Sequence, residues 1–371
     1  MADLISDVER HRREVVTDSY TITWNEAVAL YQKKNIHIDP DYQRMFRWTL
    51  DQQTQFIESL LLNIPTPPLF FAEDKSGTFE LIDGLQRFST LLKFFSSEVF
   101  QKSKLRIKEG KKESVNNIRV PTTLRKGPIL GTLEGITLET MPEQLVRTVR
   151  YARIQIILLK KESDPRTRYT VFHRLNRSGS PLSDQEIRNS AARLFSNTFA
   201  DALRTIAKTQ DARRAMHLSH KQRQTMIGEE MVLRLLAFNH SKEPLEHDVS
   251  QYLDDFMYVA STEKFVFTKD IEERLTDLFR IIAKAYQKGE AFKALRDGKP
   301  KGGFSTNIFD AVASGIYNNL PKIKAWAPKK VQERIRTLQE SHELKEYSGA
   351  GSNTRKKMLG RVTLGTKWFS K

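Results

Sequence analysis

The stretch that decides the fold is Phe79-Glu80-Leu81-Ile82-Asp83-Gly84-Leu85-Gln86-Arg87-Phe88-Ser89-Thr90. It predicts a short apolar strand, a turn that contains glycine, and the beginning of a helix. The polar residues of the stretch lie at the strand-to-helix junction, where backbone N–H groups have no intrahelical partner and the helix dipole favours an anion. The pattern therefore indicates a site for a phosphate-bearing ligand.

Four residues of this turn could carry chemistry. Gly84 lets the backbone approach a ligand closely, and Arg87 can place its planar guanidinium on phosphate oxygens. Asp83 can hold a Mg²⁺ ion that bridges phosphates, and Gln86 can orient a water molecule or contact a sugar. Composition alone favours a simpler interpretation, in which Asp83 caps the helix and Arg87 forms an ordinary salt bridge.

Two further segments are candidates for the same site. The segment Tyr42-Gln43-Arg44-Met45-Phe46-Arg47-Trp48 also precedes a predicted helix. Gln43 and Arg44 could contact a nucleotide, although Arg44 and Arg47 could equally pair with surface acids. Asn176 and Gly179 lie in a predicted tight loop, residues 176–181, that could face a ligand. A plain Asn/Gly turn is the commoner explanation of such a loop.

The element pattern predicts an α+β fold, in which a small sheet with helices is followed by a mostly helical part. Strands are predicted near residues 67–72, 80–83 and 153–159, and a capping box, Thr49 to Gln52, opens a helix. From residue 164 onward the spacing is helical. We therefore expect an N-terminal arm or helix at 1–20, an α/β domain at 21–163 with a basic insertion near 101–127, and a helical domain at 164–371 with a basic tail.

Composition limits the possible functions. The chain of 371 residues contains no cysteine, which excludes disulfides, thiol catalysis and Cys-ligated metals. Its formal net charge of +16 favours a polyanionic partner, most often nucleic acid. We expect no signal peptide and no membrane partner, because neither a leader pattern nor an apolar run of about 18 residues occurs. A cytoplasmic location is expected.

Two basic segments are the candidates for DNA contact. Residues 102–126 hold nine Lys or Arg against two Glu, and residues 345–371 hold seven against one. Such runs are usually solvated surface, but in a basic protein they are the first place to expect contacts with the phosphate backbone. The predicted DNA-binding residues are Lys108, Lys111, Lys112, Arg355, Lys356 and Lys357.

The order of these motifs resembles one known family. It comprises Gln43-Arg44-x-Phe46-x-Trp48, then Ile82-Asp83-Gly84-Leu85-Gln86-Arg87 with Thr90-Leu91, then Asn176-x-x-Gly179-x-x-Leu182-Ser183-x-x-Glu186-x-x-Asn189. The chain is identified on these residues as similar to the N-terminal domain of GmrSD-type restriction endonucleases, within the ParB/sulfiredoxin-like superfamily. The resemblance covers roughly residues 20–240.

The resemblance implies a ParB-like core and nucleotide binding or hydrolysis linked to DNA, in restriction or anti-phage defence. It implies NTP and Mg²⁺ as ligands, with Asp83, Gln86 and Arg87 as catalytic residues and Asp83 as the metal ligand. We also expect a homodimer or a partner nuclease or methyltransferase subunit. The absence of a GxxxxGK[ST] motif means that any hydrolysis is not of the P-loop type.

Two alternatives remain open beside a Mg²⁺-dependent NTPase. The usual family turn has Gln at the position of Leu85, which cannot hydrogen-bond a ligand, and this favours a non-catalytic DNA-binding or DNA-modification sensor. The second alternative is a metal-dependent DNA nuclease. The C-terminal HNH-type half of fused GmrSD proteins has no counterpart pattern here, because Glu246-His247 is interpreted as a helix surface. We therefore expect a stand-alone N-terminal-type protein.

Overall fold

The computed structural model describes residues 2–38, 46–100, 118–179, 182–242, 248–262, 264–286, 288–349 and 351–371. They belong to two compact units, Met1–Ser180 and Pro181–Lys371. The first unit combines helices with a five-stranded sheet, whereas the second is helical apart from one two-stranded hairpin. This arrangement confirms the predicted α+β class.

The first unit is built around a mixed sheet with the strand order β1-β5-β3-β4-β2. The neighbouring pairs β1/β5 and β3/β4 are antiparallel, while β5/β3 and β4/β2 are parallel. The central strands are apolar on their buried positions, as expected of strands covered on both faces. The strands are β1 (Thr17–Thr23), β2 (Ile36–His37), β3 (Leu69–Glu73), β4 (Phe79–Asp83) and β5 (Arg153–Leu159).

Helices of the first unit bury an aromatic cluster against this sheet. Trp24 is fully buried, and its ring lies edge-on to that of Phe56 at a centroid distance of 5.8 Å and tilted against that of Phe88 at 6.3 Å. These contacts join three helices. The helices are α1 (Ala2–Arg13), α2 (Trp24–Gln32), α3 (Leu50–Leu61), α4 (Leu85–Phe94), α5 (Ser96–Val99), α6 (Glu143–Tyr151) and α7 (Pro165–Gly179), with a 3₁₀ turn at Gly131–Leu133. The capping box of Thr49 and Gln52 at the start of α3 is present as predicted.

The second unit packs its helices around one apolar core. Its helices are α8 (Asp184–Ala192), α9 (Thr198–Lys208), α10 (Gln210–Met216), α11 (His220–Gln224), α12 (Ile227–His240), α13 (Val249–Ser261), α14 (Lys269–Ala285), α15 (Thr306–Asn318), α16 (Leu320–Ile323), α17 (Pro328–Glu340), α18 (His342–Glu346) and α19 (Arg355–Ser370). A 3₁₀ turn, Glu290–Phe292, precedes the hairpin of β6 (Ala294–Arg296) and β7 (Lys299–Lys301).

The C-terminal segment is an integral helix of the second unit. Helix α19 packs closely on α15. A Cβ added at Gly365 would lie 1.9 Å from the Ala311 carbonyl oxygen, which shows how near the two backbones are. Arg361 is fully buried and shares Asp310 with Arg234. The basic tail predicted from the sequence is therefore a packed helix, and only part of its surface faces solvent.

Two other segments differ from the sequence-based expectation. Residues 17–23 form the edge strand β1, whereas residues 1–20 were expected as an arm or helix. Helix α7 continues through Gly179, so residues 176–179 form its last turn and not the expected loop. Helix α7 contacts β4, and its Arg168 donates to the Glu73 carbonyl at 2.7 Å, so this helix belongs to the first unit.

Candidate functional site

The strand-to-helix turn has the shape that its sequence predicts. Gly84 follows β4 and precedes α4 with φ +100°, a conformation that L-residues with a side chain rarely adopt. A Cβ at this position would lie 2.2 Å from Leu69 Cδ2, a fully buried atom of β3. Within the described residues, no side chain caps the N-terminus of α4. The backbone at Gly84 therefore lies so close to β3 that no side chain fits between them.

Asp83 and Arg87 form an ion pair across the turn. The Arg87 Nη2 atom donates to Asp83 Oδ2 at 3.1 Å, and Nη1 donates to the carbonyl oxygens of Pro67 and Pro68, the latter at 3.1 Å. The two side chains are 11% and 28% exposed for Arg87 and Asp83, respectively. The guanidinium is thus bound to three protein oxygens, and the Asp83 carboxylate is the more exposed of the two groups.

Gln86 connects this turn with the second predicted motif. Its Oε1 atom accepts from the backbone N–H of Arg47 at 2.9 Å and from that of Trp48 at 3.1 Å. One amide oxygen therefore fixes the end of the 42–48 motif against the first turn of α4, although the two lie almost 40 residues apart in the sequence. The two motifs that the sequence predicts as one site do meet at residues 47–48.

A polar network below the turn extends this connection into the core. Gln53 is fully buried, and its Nε2 donates to the Trp48 carbonyl oxygen at 2.8 Å. Its Oε1 accepts from Lys93 Nζ at 3.3 Å, and burial lowers the pKa of Lys93 to about 8. Neither residue was predicted as functional. The sequence signal was a lysine within the otherwise apolar run Leu91–Phe95.

Leu85, the first residue of α4, is an interior residue. It is 4% exposed and belongs to the apolar core of the first unit. The position at which the usual family turn has Gln is therefore an interior one in this chain, and the leucine fits it without leaving a polar group unpaired.

The remaining predicted residues are distributed differently. Gln43, Arg44, Lys108, Lys111 and Lys112 lie outside the described residues. Asn176 and Gly179 lie in the last turn of α7, a helix of the first unit. Arg355, Lys356 and Lys357 form the first turn of α19 in the second unit, where Arg355 and Lys356 are exposed.

The last part of the family motif has a structural role in the second unit. Ser183 and Glu186 form the predicted capping box of α8, with the Glu186 carboxylate accepting from the Ser183 N–H at 2.8 Å. Asn189 Oδ1 accepts from Gln185 Nε2 at 2.8 Å inside the protein. Gln185, Glu186 and Asn189 are all buried. These contacts explain why this spacing suits the start of α8.

The described residues contain no group of three or more His, Asp or Glu that could hold a metal ion by themselves. In this part of the chain, no helix is both long and apolar enough to cross a membrane.

Fold and site together define a class: an α+β unit whose strand–glycine–helix turn carries Asp and Arg, followed by a helical unit. Residues 28–193 match the family model described as GmrSD restriction endonuclease, N-terminal domain. This stretch of the chain is therefore similar to that N-terminal domain, as its motifs indicate. Searches of curated proteins and of solved structures gave no match.

Proposed function

We propose that the turn at residues 83–87 and the segment at residues 46–48 form one nucleotide-binding site. The protein would be an NTP-hydrolysing, DNA-associated component of restriction or anti-phage defence. The observation that supports this proposal is the double hydrogen bond from Arg47 and Trp48 to Gln86, because it brings the end of the second motif, residues 47–48, to the first turn of α4. The family match supports the restriction context.

The local chemistry suits a phosphate group. The first turn of α4 offers backbone N–H groups and the positive end of the helix dipole. Arg87 adds a positive charge that its three oxygen acceptors hold in place. A cation fixed in advance stabilises developing negative charge without reorganising during the reaction.

Asp83 is the residue that would bind Mg²⁺. Its carboxylate is partly exposed, beside the guanidinium of Arg87. A bound Mg²⁺ ion would neutralise charge on the phosphates, and its remaining ligands would be water and phosphate oxygens. Asp83 itself would compete with phosphate for Arg87, so a nucleotide that binds would loosen the 3.1 Å ion pair.

The proposed partners rest on the net charge of the chain and on the family match. The net charge of +16 favours DNA as a partner. A homodimer or an associated nuclease or methyltransferase subunit is part of the proposal.

The test is phosphate release from NTPs with Mg²⁺, comparing the wild type with Asp83→Asn. The substitution keeps the side-chain shape but removes the charge, and we expect hydrolysis to fall at least about 100-fold. Asp18→Asn on the exposed strand β1 is the matched control and should retain wild-type hydrolysis. Equal rates for wild type and Asp83→Asn would overturn a catalytic role for this turn.

A second candidate is a DNA sensor that uses the same site without turnover. Two observations favour it: Arg87 is already bound to three protein oxygens, and Leu85 is an interior residue. This candidate predicts nucleotide binding and DNA binding that weakens steeply with salt, with no phosphate release. Release that exceeds the buffer background and is lost in Asp83→Asn would exclude it.

A further inference from the structure

The second unit contains an open cleft with basic walls. Arg213, His220, Arg223 and Gln224 line this cleft, whose volume is ≈ 430 Å³. An adjoining pocket of ≈ 90 Å³ shares Arg213 and Arg223 and continues between α9, α10 and α12. The cleft lies outside the motifs that indicated the nucleotide site.

Local backbone geometry holds the two walls of the cleft. Helix α10 ends at Met216, and the next residue, His217, has a left-handed backbone conformation with φ +45°. Ser219 then starts α11 through a capping box with Gln222, and Arg223 donates from Nη1 to the carbonyl oxygen of the buried Leu218. Arg213 and Arg223 thus face one cleft although ten residues separate them. The turn fixes this approach.

The cleft carries positive charge that nearby carboxylates do not neutralise. Residues 208–224 hold five Lys or Arg and one Asp, a net charge of +4. Among the described residues, Lys208, Arg213 and Lys221 form no ion pair, whereas Arg204 at the edge of this region lies 3.5 Å from Asp201. One acid, Glu229, lies in the inner pocket. The outer cleft therefore has a positive potential open to solvent.

We propose that this cleft binds a phosphate group of the backbone of duplex DNA. Two guanidinium groups facing one concavity match the oxygens of a phosphate, to which arginine donates in pairs. A concave site with walls of low dielectric constant concentrates this potential more than a convex charged surface does. The choice of DNA as the polyanion rests on the proposed function, but the site is independent of residues 83–87.

The experiment measures binding of a fluorescent 20-base-pair duplex by anisotropy at several salt concentrations. The test variants are Arg213→Glu and the double variant Arg213→Glu/Arg223→Glu. The single variant leaves the bond from Arg223 to Leu218 intact. The matched control is Lys269→Glu/Lys329→Glu, which changes the net charge by the same amount in the exposed first turns of α14 and α17. Circular dichroism melting verifies that each variant is folded.

Each lost phosphate contact should reduce the slope of log K against log salt concentration by about 0.9 and weaken binding about eightfold at 0.1 M salt. Because both arginines bind one phosphate group, we expect a loss of about eightfold for the double variant, which removes that contact, and a smaller loss for Arg213→Glu. The control variant should lose less than threefold. Nucleotide binding should stay at the wild-type level in all of them.

Three results would overturn the inference, and they can be told apart. If the wild type binds no DNA, the inference and the DNA part of the proposed function both fail. If the wild type binds DNA but the cleft variants match the control in affinity and slope, the inference alone fails. If the cleft variants lose nucleotide binding and keep DNA binding, the cleft holds a free nucleotide and not a DNA phosphate.

Discussion

Replacing Gly84 by alanine tests whether the turn needs a residue without a side chain. The φ of +100° costs an alanine about 1–2 kcal/mol, since left-handed backbone brings Cβ near the following carbonyl. The new Cβ would also lie 2.2 Å from Leu69 Cδ2. Leu69 is fully buried, so forcing it aside adds about 1–3 kcal/mol. We expect a total loss of about 3 kcal/mol.

Gly77 supplies a matched control within the same unit. Its φ is +81°, but a Cβ there would have no atom within 4 Å. Gly77→Ala should therefore lower the stability only through its backbone conformation, by about 1 kcal/mol. The difference in stability loss between the two variants then measures the collision with Leu69.

The assay is native-state hydrogen exchange followed by mass spectrometry, with peptides that cover Leu69–Glu73 and Leu85–Phe94. Exchange reports the free energy of opening in these segments, which suits a chain with two compact units better than one global unfolding curve. Gly84→Ala should lower this free energy by about 2 kcal/mol more than Gly77→Ala does. Losses that agree within about 0.5 kcal/mol would refute the close approach of Gly84 to Leu69.

Two further predictions concern buried charges. Asp310→Asn leaves Arg234 and Arg361 buried without their shared carboxylate, so urea denaturation of the second unit should show a loss of about 4 kcal/mol, and a loss below 1 kcal/mol would contradict this. Burial lowers the pKa of Lys93 to about 8. The folded state therefore binds its proton less tightly than the unfolded state, and stability rises from pH 8 to about pH 10.4 by about 1–3 kcal/mol. Lys93→Met should abolish this rise, and an unchanged pH profile would show that Lys93 does not cause it.

Elements with local signals could be predicted from the sequence. The apolar run Arg153–Leu159 predicts a buried strand. The capping boxes that begin α3 and α8 depend only on residues three positions apart. The hairpin between β3 and β4 is equally local, since Asp74 accepts from the backbone of Ser76 and Thr78.

Elements that depend on distant partners could not be predicted in this way. Strand β1 is polar and mostly exposed, and only its pairing with β5 makes it a strand. The end of α7 was expected to be a loop because Asn and Gly favour turns, but the helix continues through Gly179. Helix α19 was interpreted as a basic tail since its sequence gives no sign that Arg361 would be buried against Asp310.

In the candidate site, too, local contacts could be predicted from the sequence and contacts between distant segments could not. The simpler interpretation of the turn has Arg87 in an ordinary salt bridge and Asp83 as the helix cap. The structure contains a salt bridge of Arg87, formed with Asp83, but among the described residues no side chain caps α4. The contact from Gln86 to residues 47–48 joins segments almost 40 residues apart, and no local pattern reveals it. The cleft of Arg213 and Arg223 likewise depends on the left-handed turn at His217.

The most direct test of the central claim is a crystal structure of the protein soaked with a nucleotide and Mg²⁺. We predict phosphate density within hydrogen-bond distance of the backbone N–H groups that begin α4, next to Arg87 and residues 47–48, with a metal ion at Asp83. Nucleotide density at another place in the chain, with the turn at residues 83–87 empty, would contradict the claim.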